Sequence, residues 1–107
     1  MCRKRDKSSI SAEDRELIEN NANAVNTLIV MAKENADVID ALKQLQNKLR
    51  YLIASDNQKA LKIDGVIQNQ LQDMKIYLNK AKTLDLSVIE DSVREIEISI
   101  VSRNNLV

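Results

Sequence analysis

The stretch that decides the fold runs from Leu17 to Ile53 and reads LIENNANAVNTLIVMAKENADVIDALKQLQNKLRYLI. Its apolar residues recur every seven positions, in two rows that lie three residues apart. The first row is Ile18, Val25, Ala32, Ile39, Gln46 and Ile53, and the second includes Leu28, Leu42 and Leu49. Other apolar residues flank both rows, so the apolar face is wider than a two-stranded coiled coil needs. This stretch predicts a long helix that buries its face in a bundle.

The composition of the whole chain agrees with an all-α protein. Hydrophobic residues make up 44% of the 107 residues, which is enough for the core of one domain. Proline is absent and Gly65 is the only glycine, whereas folds with many tight turns need both residues. We therefore expect one domain of a few long helices joined by short polar connections.

Cap and turn residues predict where these helices begin and end. Ser11 is the expected N-cap of the first helix, Ser55-Asp56-Asn57 is the clearest turn, and Ser87 with Glu90 forms a capping box. The predicted helices cover about 11–54, 58–82 and 87–103 within a single helical domain, 11–107. The predicted fold is a long antiparallel helical hairpin plus a shorter third helix.

Three alternatives to this arrangement remain open from the sequence. The cap residues around Asn35 allow a break in the first helix, although the apolar period crosses them without a change of phase. The same period also continues through Asp56, which would suit one continuous helix of about seventy residues. Finally, Glu95 to Ile100 alternates polar and apolar residues as a strand does, but no other stretch predicts a partner strand.

The sequence argues against an enzyme. Histidine, the commonest acid–base group and metal ligand, is absent, and one glycine cannot build a phosphate-binding loop. We expect no catalytic residue, no metal and no cofactor. The formal net charge is zero, a lone cysteine cannot form an internal disulfide, and no apolar run is long enough to span a membrane. The expected location is the cytoplasm.

The first ten residues predict a disordered basic tail. Arg3, Lys4, Arg5 and Lys7 crowd together there against a single acidic residue, Asp6. Three roles fit such a tail: it serves only solubility, or its basic residues contact nucleic-acid phosphates, or a lipid on Cys2 brings them to an anionic membrane. The nucleic-acid and membrane alternatives make these four basic residues candidates for contact with phosphates or with a membrane surface.

Four amides interrupt the apolar rows, namely Asn21, Asn35, Gln46 and Gln70. A buried amide destabilises a core unless it is paired, and a paired one fixes the register of neighbouring helices. The alternative is that these amides face a part of the seam that stays wet. The sequence does not decide between the two.

The predicted helix lengths suggest that the protein associates with itself. A second helix that turns back at Asp56 covers only the C-terminal part of the first helix, which leaves Leu17, Ile18, Val25, Leu28 and Ile29 bare. Bare apolar surface of this kind calls for another chain, so we expect a homo-oligomer, most simply a dimer. The leading hypothesis is a non-enzymatic interaction or oligomerisation module that acts through apolar helix faces. The alternative is a nucleic-acid-associated accessory protein that uses the basic tail while its helices dimerise.

Overall fold

The computed structural model describes residues 7–33 and 35–106, with side chains from residue 9 onward. All regular secondary structure in this part of the chain is helical. The four helices are α1, Lys7–Met31; α2, Ala36–Arg50; α3, Gln58–Lys80; and α4, Leu86–Asn104. The all-α class predicted from the sequence is confirmed, and the predicted arrangement of three helices is replaced by four.

The predicted unbroken helix over 11–54 is wrong, because α1 ends at Met31 and the chain reverses before α2 begins at Ala36. Lys33 adopts a left-handed backbone conformation with φ of 58°, which ends α1. Asn35 then caps α2, its side-chain oxygen accepting a hydrogen bond from the Val38 amide at 3.2 Å. The reversal lays α2 back along α1, so the apolar faces on both sides of the break cover each other.

The other helix boundaries lie close to the predicted ones. Asn57 caps α3 and Asp85 caps α4, each through a side-chain oxygen that accepts a backbone N–H. The segment Glu95 to Ile100 is helical, so the strand alternative is wrong. Helix α1 begins at Lys7, before the predicted cap at Ser11, and buries Ile10. Residues 1–6 of the predicted tail lie outside the described residues.

Each helix packs against two others. The neighbouring pairs are α1 with α2, α1 with α3, α3 with α4, and α2 with α4, so α1/α4 and α2/α3 are the diagonals of a four-helix bundle. The turn between α1 and α2 makes them antiparallel, and so does the turn between α3 and α4. Because the 51–57 linker crosses one end of the bundle, α3 starts beside the first turns of α1 and runs parallel to it. We call this the linker end. The opposite end, which contains the α1/α2 and α3/α4 turns, is the turn end.

The core lies between all four helices and consists of aliphatic side chains. Its members are Ala22, Val25, Leu28, Ala32, Val38, Leu42, Leu45, Leu49, Ile67, Leu71, Met74, Leu78, Ile89, Val93, Ile96 and Ile100. Burial of these side chains is the main favourable term in folding. The apolar face of α1 is therefore buried by other helices of the same chain.

All four seam amides are bonded within the chain, which supports the paired alternative. Asn21 donates to the Asp64 carbonyl at 3.0 Å and thereby joins α1 to α3. Gln46 donates to the Ala22 carbonyl at 3.0 Å and joins α2 to α1. Gln70 accepts from the Ser99 hydroxyl at 3.1 Å, and Asn35 caps α2. The bonds of Asn21, Gln46 and Gln70 each need one alignment of two helices, so these three amides fix the register of the bundle, whereas Asn35 acts within its own turn.

We predict that Leu42→Ala lowers the free energy of unfolding by roughly 2–5 kcal/mol, because Leu42 is fully buried and truncation leaves a cavity. Urea denaturation followed by circular dichroism measures this change. The matched control is Val30→Ala, since Val30 is 76% exposed on α1 and its truncation is expected to change stability by less than about 0.5 kcal/mol. Equal effects of the two substitutions would contradict the assigned core.

Candidate functional site

The linker end contains a cluster of three charged side chains with no access to solvent. Asp14 comes from α1, Asp64 from α3 and Arg103 from α4, and each is 0% exposed. Charged residues are almost never fully buried in proteins unless they are paired. We call these three residues the Arg103 cluster.

The guanidinium of Arg103 bonds to three different segments of the chain. Its Nε lies 2.9 Å from Asp64 Oδ2, and its Nη2 lies 2.8 Å from Asp14 Oδ2 and 2.7 Å from the Ile53 carbonyl oxygen. Asp14 Oδ2 also accepts the Ser55 amide at 2.7 Å. The Arg103 side chain thus spans the α1/α4 diagonal and holds the 51–57 linker in place.

The charges of the cluster do not cancel when both carboxyls are ionised. Burial raises the pKa of Asp64 to about 7, the hydrogen-bonded Asp14 carboxyl adds to this rise, and the Arg103 guanidinium opposes it. Oδ1 of each carboxyl accepts no hydrogen bond, although Oδ1 of Asp64 lies 2.8 Å from Arg103 Nε and shares its charge contact. A proton held between the two carboxyls would neutralise the cluster and give these oxygens a partner.

The cluster resembles an acid–base pair in composition, but its burial gives it a structural role. A general acid or base must reach its substrate directly or through one water, and all three side chains are closed off from solvent. No group of three or more histidine, cysteine or carboxylate side chains in residues 9–33 and 35–106 could hold a metal ion. The cluster therefore positions four chain segments relative to one another.

The accessible candidate site is a groove between α2 and α4, which we call the α2/α4 groove. Toward the turn end of the bundle, it has a volume of about 400 Å³ and is lined by Asp37, Asp40, Ala41, Gln44, Leu86, Glu90, Val93, Arg94 and Glu97. Toward the linker end, it has a volume of about 380 Å³ and is lined by Lys48, Tyr51, Leu52, Glu97, Ile100, Val101 and Asn104. Glu97 belongs to both sections and forms an ion pair with Lys48 across the groove.

The groove stays open because the α2 side of the seam has few apolar residues to bury. On α2, the lining residues are charged or polar apart from Ala41, whose small side chain fills little space. On α4, Glu90 and Glu97 occupy the facing turns. Consequently α2 and α4 pack less extensively than the other three neighbouring pairs.

The linker-end section presents apolar side chains to solvent. Tyr51 is 85% exposed and Val101 is 59% exposed, and both line the groove. Ile98 and Ile53 are further large apolar residues that are exposed on α4 and in the linker. A group of exposed aromatic and aliphatic side chains beside a groove is typical of a protein-binding surface.

The residues predicted from the sequence as a partner contact lie mostly inside the bundle. Ile18, Val25 and Leu28 are buried, and Ile29 packs partly against the core, because α2 and α3 cover this face of α1. Leu17 is half-buried. The predicted basic contacts Arg3, Lys4 and Arg5 lie outside the described residues, as does the side chain of Lys7.

The sequence analysis predicted neither the Arg103 cluster nor the α2/α4 groove, and the reason is physical. Asp14 and Arg103 lie outside the apolar rows that the sequence shows, and charged residues in such positions are ordinarily solvated. One signal was present, because Asp64 falls between Ala60 and Ile67 on the apolar face of α3. A charged residue at such a position indicates a partner of opposite charge from another helix.

We predict that the Asp64 carboxyl makes the protein less stable as the pH rises from about 4 to 7. Its pKa of about 7 in the folded state exceeds the ordinary value of 3.8, so the folded state binds the proton more tightly, and this stabilisation is lost progressively as the pH rises from about 4 through 7. In Asp64→Asn this loss is absent. Between pH 4 and pH 8, the free energy of unfolding of the variant therefore rises relative to that of the wild type by on the order of 4 kcal/mol.

Urea denaturation at several pH values measures this difference. The control is Asp73→Asn, which removes an exposed carboxyl from the same helix and is expected to follow the wild type across the range. A constant difference in the free energy of unfolding between wild type and Asp64→Asn would contradict a buried, protonated carboxyl.

No described helix is long and apolar enough to cross a membrane. Comparison with known protein families, with curated proteins and with solved structures gives no match to this chain. The candidate site is therefore assigned from the geometry, burial and charge of the α2/α4 groove and of the Arg103 cluster.

Proposed function

We propose that the protein is a non-enzymatic interaction module that binds another polypeptide in the α2/α4 groove. The observation that carries the proposal is the exposure of Tyr51 and Val101 beside a groove that the chain's own helices leave open. Tyrosine is enriched among the residues that dominate binding energy at protein interfaces. The groove also runs along two parallel helices, which is a geometry that accommodates a further helix.

The rest of the bundle serves this surface as a rigid support. Residues of α1 complete the core, and the seam amides fix the register of the helices. The Arg103 cluster anchors the C-terminal turns of α4 next to the linker. Binding sites on helices held in this way keep their shape, so less entropy is lost when a partner binds. The positions of α2 and α4, which form the walls of the groove, are therefore fixed before a partner binds.

Burial of the α1 face changes the basis for self-association. The dimer expected from the sequence used Val25 and Leu28 as exposed contacts, and in the bundle these side chains pack against neighbouring helices. Self-association through the α2/α4 groove is a different arrangement, in which a second copy is the partner. The test below therefore identifies the bound chain.

We predict that a photocrosslinking amino acid at position 101 captures one defined partner in the cell that makes the protein. The control places the same amino acid at position 30, since Val30 is at 76% even more exposed than Val101 but lies on α1, outside the groove. Adducts at 101 and none at 30, abolished by Tyr51→Ala, are the expected result. Absence of adducts at 101, or identical adducts at both positions, would contradict the proposed surface.

A further inference from the structure

We infer that the occupant of the α2/α4 groove is an amphipathic helix of another protein, with lysine or arginine near one end and apolar side chains near the other. This inference rests on the proposed function and adds the chemistry of the partner. It follows from the distribution of charge and of apolar surface along the groove, which differs between the two sections.

The section near the turn end is acidic on both walls. Asp37 and Asp40 of α2 and Glu90 of α4 are exposed and line the same depression of about 400 Å³. Within residues 9–33 and 35–106, none of these three carboxylates forms an ion pair. The arginine of this section, Arg94, pairs with Asp91 instead, at 3.4 Å.

The dipole of α2 favours one of these carboxylates, Asp37, but leaves its charge in place. Asp37 lies in the first turn of α2, where the N-terminal partial positive charge favours an acidic side chain. Three like charges that face one groove from two helices still produce a negative potential there. A cationic side chain in the groove would pair with them, whereas a phosphate or an anionic lipid surface would be repelled.

The section near the linker end supplies apolar contacts. Tyr51, Leu52, Ile100 and Val101 line it, and the Lys48–Glu97 ion pair separates it from the acidic section. In this section the apolar side of a partner helix would cover surface that is now exposed to water. Burial of apolar surface of this kind is the main source of affinity when a helix binds in a groove.

The length of the groove sets the pattern expected in the partner. From Asp37 to Tyr51 the α2 wall rises by fourteen residue steps, or about 21 Å at 1.5 Å per residue. A helix of about 16 residues covers this distance, with its basic residues roughly three turns from its apolar anchors. The anchors would recur at intervals of three and four residues, because only that spacing keeps them on one face.

Two fluorescent peptide probes test the inference on the full-length protein. Each is a helical peptide of about 16 residues with leucines at three- and four-residue spacing in one half, and the other half carries either lysines or glutamates. Fluorescence anisotropy is expected to show binding of the lysine peptide that weakens with added salt, and no binding of the glutamate peptide.

A matched pair of variants locates the binding site. The triple substitution Asp37→Asn, Asp40→Asn and Glu90→Gln is expected to weaken the lysine peptide about tenfold, since three exposed ion pairs are lost. The control makes the same change in net charge on exposed carboxylates of α1 and α3, through Glu16→Gln, Glu19→Gln and Asp73→Asn, and leaves binding unchanged. Circular dichroism confirms that both triple variants keep their helix content.

Three results with the peptides would overturn the inference. They are equal binding of the two peptides, equal effects of the two triple variants, and failure of both peptides to bind while position 101 still forms an adduct in the cell. In the last case the proposed function stands and only the partner's chemistry is wrong. A dimer in light scattering that Val101→Asp dissociates would identify a second copy as the occupant, which also overturns the inference.

Discussion

The buried guanidinium of Arg103 is the interaction on which the arrangement of the four helices depends. It connects α4 to α1 through Asp14, to α3 through Asp64 and to the linker through the Ile53 carbonyl. In one continuous helix, Asp14 and Asp64 would lie about 75 Å apart, so a single arginine could not reach both. The cluster therefore forms only when α1 and α3 start at the same end and α4 returns to it.

Burial of these charges favours one arrangement more than it adds stability. Transfer of ions into a dry interior costs several kcal/mol per ion, and their mutual attraction roughly offsets this cost when the geometry is good. A misplaced helix would leave one carboxylate or the guanidinium buried alone, which is strongly unfavourable. We interpret the Arg103 cluster, together with the bonded seam amides, as the feature that selects this bundle over others with the same apolar pattern.

The sequence predicted the helical class and the positions of α3 and α4, but not the reversal between α1 and α2. The seven-residue period continues through Asn35 because α2 also needs an apolar face, which packs against α1 after the turn. Phase continuity is therefore no evidence for an unbroken helix. The left-handed residue at the turn is Lys33, where glycine is the usual signal, so only the cap residues around Asn35 indicated a break after α1.

The candidate site was less predictable than the fold, because it consists of residues that the pattern assigns to ordinary surface. Tyr51 and Val101 come from the ends of different helices, and only the parallel packing of α2 and α4 brings them to one groove. The apolar residues that were predicted as a partner contact, such as Val25, lie in the core, because a periodic apolar face needs cover of either kind. Apolar periodicity identifies surface that must be covered, and the reversal between α1 and α2 determines what covers it.

The most direct test of the Arg103 cluster is nuclear magnetic resonance of the arginine side chains. A buried, bonded Arg103 Nε–H is expected to exchange with water far more slowly than that of Arg94, whose side chain is 70% exposed. Its resonance is also expected to shift in Asp64→Asn, since Asp64 accepts the Nε–H bond. An Arg103 Nε–H that exchanges as fast as that of Arg94 and ignores this substitution would contradict the account.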